Sequence, residues 1–128
     1  MAIILAGVSH HKTPLEVRER FYFPENAMPE WLDRMSRFSS LSERVILSTC
    51  NRVELYGYAE SYEQGVDAIH DFLLDSRDLR SDELRAHLYI QRDEEATRHL
   101  FRVASSLDSM VLGEPQILGQ VKEAYRIA

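Results

Sequence analysis

The segment with the clearest capacity for chemistry surrounds the single cysteine of the chain. It reads Ser48-Thr49-Cys50-Asn51-Arg52-Val53-Glu54-Leu55-Tyr56, and Cys50-Asn51 falls between two stretches that predict β-strands. A free thiol with a pKa near 8.5 is only ~3% thiolate at pH 7, whereas a pKa of ~7 makes it about half thiolate. The Arg52 guanidinium and the backbone N–H groups of a turn both favour the thiolate. This pattern indicates a nucleophilic cysteine, and the alternative is a buried cysteine that acts as a small hydrophobic side chain.

Arg52 and His99 are two further candidates, and each has a structural alternative. The planar guanidinium of Arg52 either binds a substrate carboxylate, forms a salt bridge to Glu54, or is solvated on the strand. His99 lies at the edge of the apolar stripe of a predicted helix, where it either faces a cleft or packs against its neighbours. The pair His10-His11 has no second ligand cluster at a suitable spacing, so we expect no metal site.

Apolar periodicity predicts the elements that must position these residues. The predicted strands are 3–8, 44–49, 52–58 and 88–90, with 36–42 as a loop. Predicted helices begin near residues 13, 28, 61, 81, 93 and 116, and the last continues to the chain end. This order predicts an α+β fold, a ferredoxin-like βαββαβ sandwich with additional C-terminal helices.

Two helix starts carry capping signals. Thr13 is expected to cap the first helix, with Pro14 at the first helical position and Glu16 as the capping-box acid. Ser61 and Gln64 form a second capping box.

Helical spacing also identifies the expected core. Its members are Met28, Trp31, Leu32, Met35 and Phe38, then Val66, Ile69 and Leu73, and finally Ala96, Leu100, Val103 and Leu107.

Composition limits the class of protein. The 128 residues carry a net charge of −6, which argues against a protein that binds nucleic acid with its whole surface. One cysteine excludes an internal disulfide and a cysteine-based zinc module. No apolar run reaches the ~20 residues that span a bilayer, so we expect no membrane association and a cytoplasmic location.

Three segments together resemble the N-terminal catalytic domain of the glutamyl-tRNA reductases. They are the cysteine segment 48–56, the run 99–122 (HLFRVASSLDSMVLGEPQILGQVK) and the N-terminal residues 7–20. The resemblance implies that Cys50 attacks the ester between glutamate and tRNA(Glu), that a thioester forms, and that hydride from NADPH releases glutamate-1-semialdehyde for tetrapyrrole (porphyrin) biosynthesis. A thioester accepts hydride far better than an oxygen ester does, which suits a cysteine to this role.

The resemblance also implies roles for individual residues. Arg52 matches the arginine that holds the substrate carboxylate, and His99 matches a histidine near the reactive carbonyl. The residues that match positions lining the glutamate pocket are Thr49, Asn51, Ser109, Glu114 and Gln116.

The domain organisation follows from the same resemblance. We expect residues 1–112 to form the catalytic domain and residues 113–128 to begin a linker helix toward an NADPH-binding domain outside this chain, because no Gly-x-Gly-x-x-Gly turn follows a strand here. The implied partners are glutamyl-tRNA(Glu), a second copy through a C-terminal domain also outside this chain, and glutamate-1-semialdehyde aminotransferase as a candidate. The competing hypothesis is a ferredoxin-like module that binds a small carboxylate or is regulatory, with a structural cysteine.

Overall fold

The structure, a computed structural model, describes residues 1–11, 13–49, 51–77, 79–105 and 116–128, with Gln116 described for its backbone alone. The strands are β1 (Ala2–Ser9), β2 (Leu41–Ser48), β3 (Arg52–Ala59) and β4 (Tyr89–Arg92). The helices are α1 (Leu15–Phe21), α2 (Met28–Ser36), α3 (Tyr62–Ser76), α4 (Ser81–His87), α5 (Asp93–Ala104) and α6 (Gln116–Ile127), with a 3₁₀ turn at Glu25–Ala27.

The four strands form one antiparallel sheet in the order β2-β3-β1-β4. Strand β3 is inserted between β1 and β2, so the βα units are split in the ferredoxin-like manner. Helices α5 and α6 follow the βαββαβ unit, which confirms the predicted α+β class and the additional C-terminal helices.

The two faces of the sheet differ because side chains alternate along each strand. One face, which we call the core face, carries residues such as Ile4, Val8 and Leu55 and packs against α1 to α4. The opposite face, which we call the site face, packs Leu47 against α5 and α6 through residues that include Val103. The site face also carries the polar side chains described below.

The expected core is largely confirmed. Met28 and Met35 are buried, and the other apolar residues of α2 pack against the same cluster. Ile69 and Leu73 are buried in α3, whereas Val66 is only half-buried. Leu107 lies outside the described residues.

Two predicted boundaries were wrong. Helix α1 begins at Leu15, after an extended Pro14, and no side chain caps it. Thr13 is buried in the turn that leaves β1, where its N–H donates to the Ser9 carbonyl at 3.0 Å. Thr13 is not part of the helix, because the residue before a proline avoids the helical conformation. Strand β2 begins at Leu41 rather than residue 44, since a bulge after Leu41 interrupts the alternation that the sequence pattern requires.

The second capping prediction holds at its serine. Ser61 precedes α3, and its hydroxyl oxygen accepts a hydrogen bond from the Gln64 N–H at 3.2 Å. This contact fixes the start of the helix that covers the core face beneath β1 and β3.

Candidate active site

Strand β3 presents three polar side chains at alternate positions on the site face. Arg52, Glu54 and Tyr56 share this face because residues two apart in a strand point the same way. Arg52 and Glu54 are 1% and 0% exposed, respectively, so this pair is fully removed from water. A buried charged pair is retained only where its hydrogen bonds are made inside the protein.

Glu54 is the acceptor on which this cluster converges. Its Oε2 accepts from the Arg52 guanidinium at 3.4 Å, from His99 Nε2 at 2.5 Å and from the Tyr89 hydroxyl. Its Oε1 accepts from the Tyr56 hydroxyl at 2.9 Å. Four side chains from β3, β4 and α5 are therefore joined through one carboxylate, which we call the Glu54 cluster.

The electrostatics of the Glu54 cluster keep the carboxyl ionised. Burial by itself raises the pKa of Glu54, but the hydrogen bond and charge of His99, the charge of Arg52 and the Tyr89 hydroxyl together bring the pKa below its ordinary value of 4.5. Burial, followed by the charge of Glu54, raises the pKa of the Tyr56 hydroxyl well above 10. Tyr56 therefore stays protonated as a donor at neutral pH.

The ionised state of Glu54 also determines which ring nitrogen of His99 carries the proton in their contact. A carboxylate can only accept hydrogen bonds, so the proton in the contact is on His99 Nε2. Nδ1 is then the ring nitrogen that is available to a second partner. This arrangement gives His99 a fixed ring orientation beside the cleft described below.

The turn between β2 and β3 is organised by Thr49. Its Oγ1 accepts hydrogen bonds from the N–H groups of Asn51 and Arg52, both at 3.2 Å, and its own N–H donates to the Arg52 carbonyl at 2.8 Å. Cys50 lies outside the described residues, but its neighbours on both sides are held by these contacts. In the sequence, Cys50 stands between Thr49 and Asn51.

A second layer of contacts holds the far side of the turn. The carbonyl oxygen of Asn51 accepts from the His10 N–H at 2.8 Å and from the Arg18 guanidinium at 3.2 Å. Burial lowers the pKa of the His10 imidazole, and the neighbouring His11 and Arg52 lower it further. The N-terminal segment that contributes to the resemblance is therefore in contact with the cysteine turn.

Gly7 leaves the space that the Glu54 cluster occupies. It is paired with Glu54 on one side and Tyr89 on the other. A Cβ at Gly7 would lie 2.7 Å from the Val53 carbonyl oxygen, 2.9 Å from the Glu54 Cγ and 3.1 Å from the Tyr89 hydroxyl. A side chain at this position would separate two members of the cluster.

A polar cleft of about 440 Å³ opens beside the Glu54 cluster. We call it the β4–α5 cleft, and its described lining residues are Ser9, His11, Tyr89, Gln91, Glu95, Arg98, His99 and Arg102. Ser9 is the register partner of Arg52, so the cleft begins at the edge of the candidate site. His99 and Tyr89 belong to both the cluster and the cleft.

The structure brings some predicted residues together and leaves others undescribed. Thr49, Asn51, Arg52 and His99 lie in one region, and the salt bridge to Glu54 that was the structural alternative for Arg52 is present. Three predicted residues, Cys50, Ser109 and Glu114, lie outside the described residues, as does the side chain of Gln116. Their roles stay predictions.

Sequence reasoning missed the central position of Glu54 and the contributions of Tyr56, Tyr89 and Arg18. The signal for two of them was available, because Glu54 and Tyr56 continue the alternation that begins at Arg52. Tyr89 joins the cluster only through the pairing of β4 with β1, which the sequence does not display.

Comparison with known proteins decides the family. The profile of the glutamyl-tRNA(Glu) reductase N-terminal domain matches residues 6–128. The chain belongs to the glutamyl-tRNA reductase family. Glutamyl-tRNA reductases from Pseudomonas aeruginosa and Pelobacter propionicus are 49% and 48% identical to it over 128 residues.

A solved structure agrees with the family assignment. Glutamyl-tRNA reductase from Methanopyrus kandleri superposes with a TM-score of 0.75 at 34% identity, covering 98% of this chain and 28% of that protein. The chain likewise spans 30% and 29% of the length of the Pseudomonas aeruginosa and Pelobacter propionicus reductases. It therefore corresponds to the N-terminal domain of a glutamyl-tRNA reductase.

Two further properties of the described residues concern membranes and metals. Among the described helices, none has the length and apolar character that crossing a bilayer requires. Within the described ranges, no three His, Cys, Asp or Glu side chains are grouped in a way that could hold a metal ion.

Proposed function

We propose that this chain performs the acyl-transfer step of glutamyl-tRNA reduction, in which Cys50 takes the glutamyl group from glutamyl-tRNA(Glu). The observation that carries the proposal is the position of the cysteine turn. Thr49 and Asn51 are each fixed by hydrogen bonds, and the turn leads directly into the buried Arg52–Glu54 pair. A nucleophile needs such a fixed position because the reacting atoms must approach within about 3–3.5 Å in the right orientation.

The proposed step exchanges an oxygen ester for a thioester. The Cys50 thiolate attacks the carbonyl carbon of the ester, a C–S bond forms, and the C–O bond to the terminal ribose breaks. His99 Nδ1 takes the proton that the Cys50 thiol loses and passes it to the ribose oxygen, so the tRNA departs with a free hydroxyl. No oxidant or reductant takes part in this step.

Arg52 and His99 support the step in different ways. Arg52 would bind the carboxylate of the glutamyl side chain through its planar set of N–H donors, while Glu54 holds the guanidinium in place at 3.4 Å. His99 would present Nδ1 to the leaving oxygen, because Glu54 occupies Nε2. We further propose that Thr49, Asn51, Ser109, Glu114 and Gln116 line the glutamyl pocket.

The reductive step would use NADPH as the hydride donor to give glutamate-1-semialdehyde for tetrapyrrole biosynthesis. The described residues contain no glycine-rich strand-to-helix turn of the kind that binds a dinucleotide, so we assign them no contact with NADPH. We place its binding in another domain of the reductase, dimerisation in a further domain, and the whole reaction in the cytoplasm. Glutamate-1-semialdehyde aminotransferase is the candidate recipient of the product.

The test uses the 128-residue chain and tRNA(Glu) charged with labelled glutamate. After an acid quench, mass spectrometry should find glutamate on Cys50, and Cys50→Ser should carry none. Arg52→Lys keeps the charge but loses the planar fork, so it should form the adduct more slowly. Arg85→Lys makes the same change on an exposed residue of α4, across the sheet from the candidate site, and should leave adduct formation unchanged.

The opposing outcome would identify the chain as a carboxylate-binding or regulatory module. In that case the folded wild type forms no adduct, and Cys50 resists alkylation until the chain is unfolded. The Arg52–Glu54 pair would then be a structural contact, as its complete burial allows.

A further inference from the structure

The β4–α5 cleft has a chemistry of its own that the acyl-transfer step does not use. Its outer wall is the last part of α5, where Arg98 and Arg102 lie one turn apart and are both exposed. His11 faces them from the end of β1. Glu95 is the carboxylate among the described lining residues, so the two guanidinium groups outweigh it.

Along α5, the negatively charged side chains lie at the start of the helix and the positively charged ones lie further along it. Its first turn holds Asp93, Glu94 and Glu95, its middle holds Arg98, and its last turn holds Arg102. Arg98 contacts Glu94 at 3.4 Å, with both side chains largely exposed to solvent. Within the described part of the chain, Arg102 makes no ion pair. An anion that entered the cleft would therefore meet cations that are weakly neutralised.

The floor of the cleft contains an unsatisfied acceptor. Gln91 of β4 lines the cleft, and its Oε1 is buried without a hydrogen-bond partner among the described residues. Buried polar atoms are nearly always hydrogen-bonded, so an orphan acceptor in a cleft wall indicates a missing donor. The rings of Tyr89 and His99, with centroids 5.6 Å apart, stand beside it and offer aromatic surface.

These three features fit one class of ligand. A ribonucleotide carries a phosphodiester for guanidinium groups, hydroxyl or amino donors for an amide oxygen, and a base that packs on aromatic rings. The location is suitable as well, because the cleft begins at Ser9, opposite Arg52, and includes His99. The leaving group of the proposed reaction must lie next to the reacting carbonyl, and so next to this edge of the site.

We propose that the β4–α5 cleft binds the 3′-terminal nucleotide of the RNA that donates the acyl group, with Arg98 and Arg102 on its phosphodiester and Gln91 on its nucleoside. This inference rests on the proposed function, because it assumes that an aminoacyl ester reacts at the neighbouring turn. It also gives a chain with a net charge of −6 a local cationic surface for RNA, since Arg98 and Arg102 outnumber Glu95 along this cleft.

The first experiment measures binding without chemistry. A fluorescent RNA hairpin with a single-stranded 3′ end and no amino acid is titrated with the wild type and with the variants Arg98→Gln and Arg102→Gln. Each substitution should weaken binding roughly 5- to 10-fold and reduce the slope of log Kd against log salt by about 0.7, as expected for one lost phosphate contact to a single strand. Arg85→Gln, which removes the same charge from the other side of the sheet, should leave both quantities near the wild-type values.

The second experiment separates phosphate from nucleoside. Thioester formation on Cys50 is followed with two esters of glutamate, one on the same RNA and one on adenosine alone. The arginine variants should raise the half-saturating concentration of the RNA ester and leave that of the adenosine ester unchanged. Gln91→Met, which removes the orphan acceptor, should weaken both esters by roughly 2- to 10-fold.

The outcomes distinguish the two proposals. If the arginine variants behave like Arg85→Gln, or weaken both esters equally, the phosphate assignment is overturned. If Gln91→Met binds both esters as the wild type does, the nucleoside contact is overturned. If RNA binding depends on the arginines but no adduct forms on Cys50, the cleft is an RNA site and the acyl-transfer proposal fails.

Discussion

Replacing Glu54 with glutamine should be among the most destabilising isosteric changes available in this domain. Glu54→Gln preserves the shape of the side chain but removes the charge that neutralises Arg52 in a fully buried site. One amide oxygen must then serve the three donors that now share Oε2, or leave some of them unsatisfied. The perturbation therefore concerns a buried charge, with little change in packing.

The magnitude follows from the number and type of contacts. Breaking a buried ion pair by removing one partner costs about 3–5 kcal/mol, and the retained amide oxygen favours the lower end, about 3 kcal/mol. Tyr56→Phe is the matched control, because it removes one neutral donor from the same carboxylate and leaves Arg52 and His99 in place. That change should cost about 1.5 kcal/mol.

Urea denaturation at pH 7 measures both free energies of unfolding, with circular dichroism to establish that each variant is folded. Glu54→Gln should lose about twice as much stability as Tyr56→Phe. If Glu54→Gln loses no more than Tyr56→Phe does, the carboxylate is not the electrostatic centre of the cluster, and the reasoning from its contacts is refuted.

The pH dependence provides an independent check with a definite sign. Folding lowers the pKa of Glu54 below its ordinary value of 4.5. The carboxylate therefore makes its full contribution to the free energy of unfolding above pH 4.5, and this contribution is lost as the pH falls through the lower pKa of the folded state. The difference in stability between the wild type and Glu54→Gln should therefore shrink as the pH falls below 4.5. A difference that stays constant through the acid range would indicate a packing effect.

Three other changes have definite expectations. Thr49→Val should cost about 1–3 kcal/mol in urea denaturation, because the part-buried N–H of Asn51 and the buried N–H of Arg52 lose their acceptor, whereas Thr49→Ser should retain most of the stability. Gly65→Ala should lower the free energy of unfolding by about 1–3 kcal/mol, because the new Cβ would lie 1.9 Å from the Ile4 Cδ1. Ile4→Val removes that atom, so it should cost less stability in the Gly65→Ala background than in the wild type. In an NMR titration the pKa of His10 should lie below 6.5, and His11→Gln should raise it; an unchanged value would remove His11 as a cause.

The fold was predictable from the sequence where local patterns and tertiary packing agree. The alternating apolar residues of β3 and the helical stripe of α2 both face the core cluster, and both elements form where the pattern predicts them. The failures lie where neighbouring structure overrides a local signal. Thr13 and Pro14 carry helix-start signals, yet the turn after β1 buries Thr13 and delays the helix to Leu15.

The candidate site was predictable only in part, for a geometric reason. Arg52 and its neighbours are local in the chain, so the motif identifies them. The contact between Glu54 and His99 joins residues 45 positions apart and depends on how α5 packs on the site face. The contact of Tyr89 with Glu54 likewise needs the pairing of β4 with β1, which no local pattern specifies.

The same separation along the chain has a consequence for biosynthesis. A ribosome that adds ~5–20 residues per second completes the β2–β3 hairpin, which ends at Ala59, about 2 to 8 s before it reaches His99. During that interval the nascent chain contains Cys50, Arg52 and Glu54 but does not yet contain His99. The domain therefore completes the Glu54 cluster only after α5 has left the ribosome.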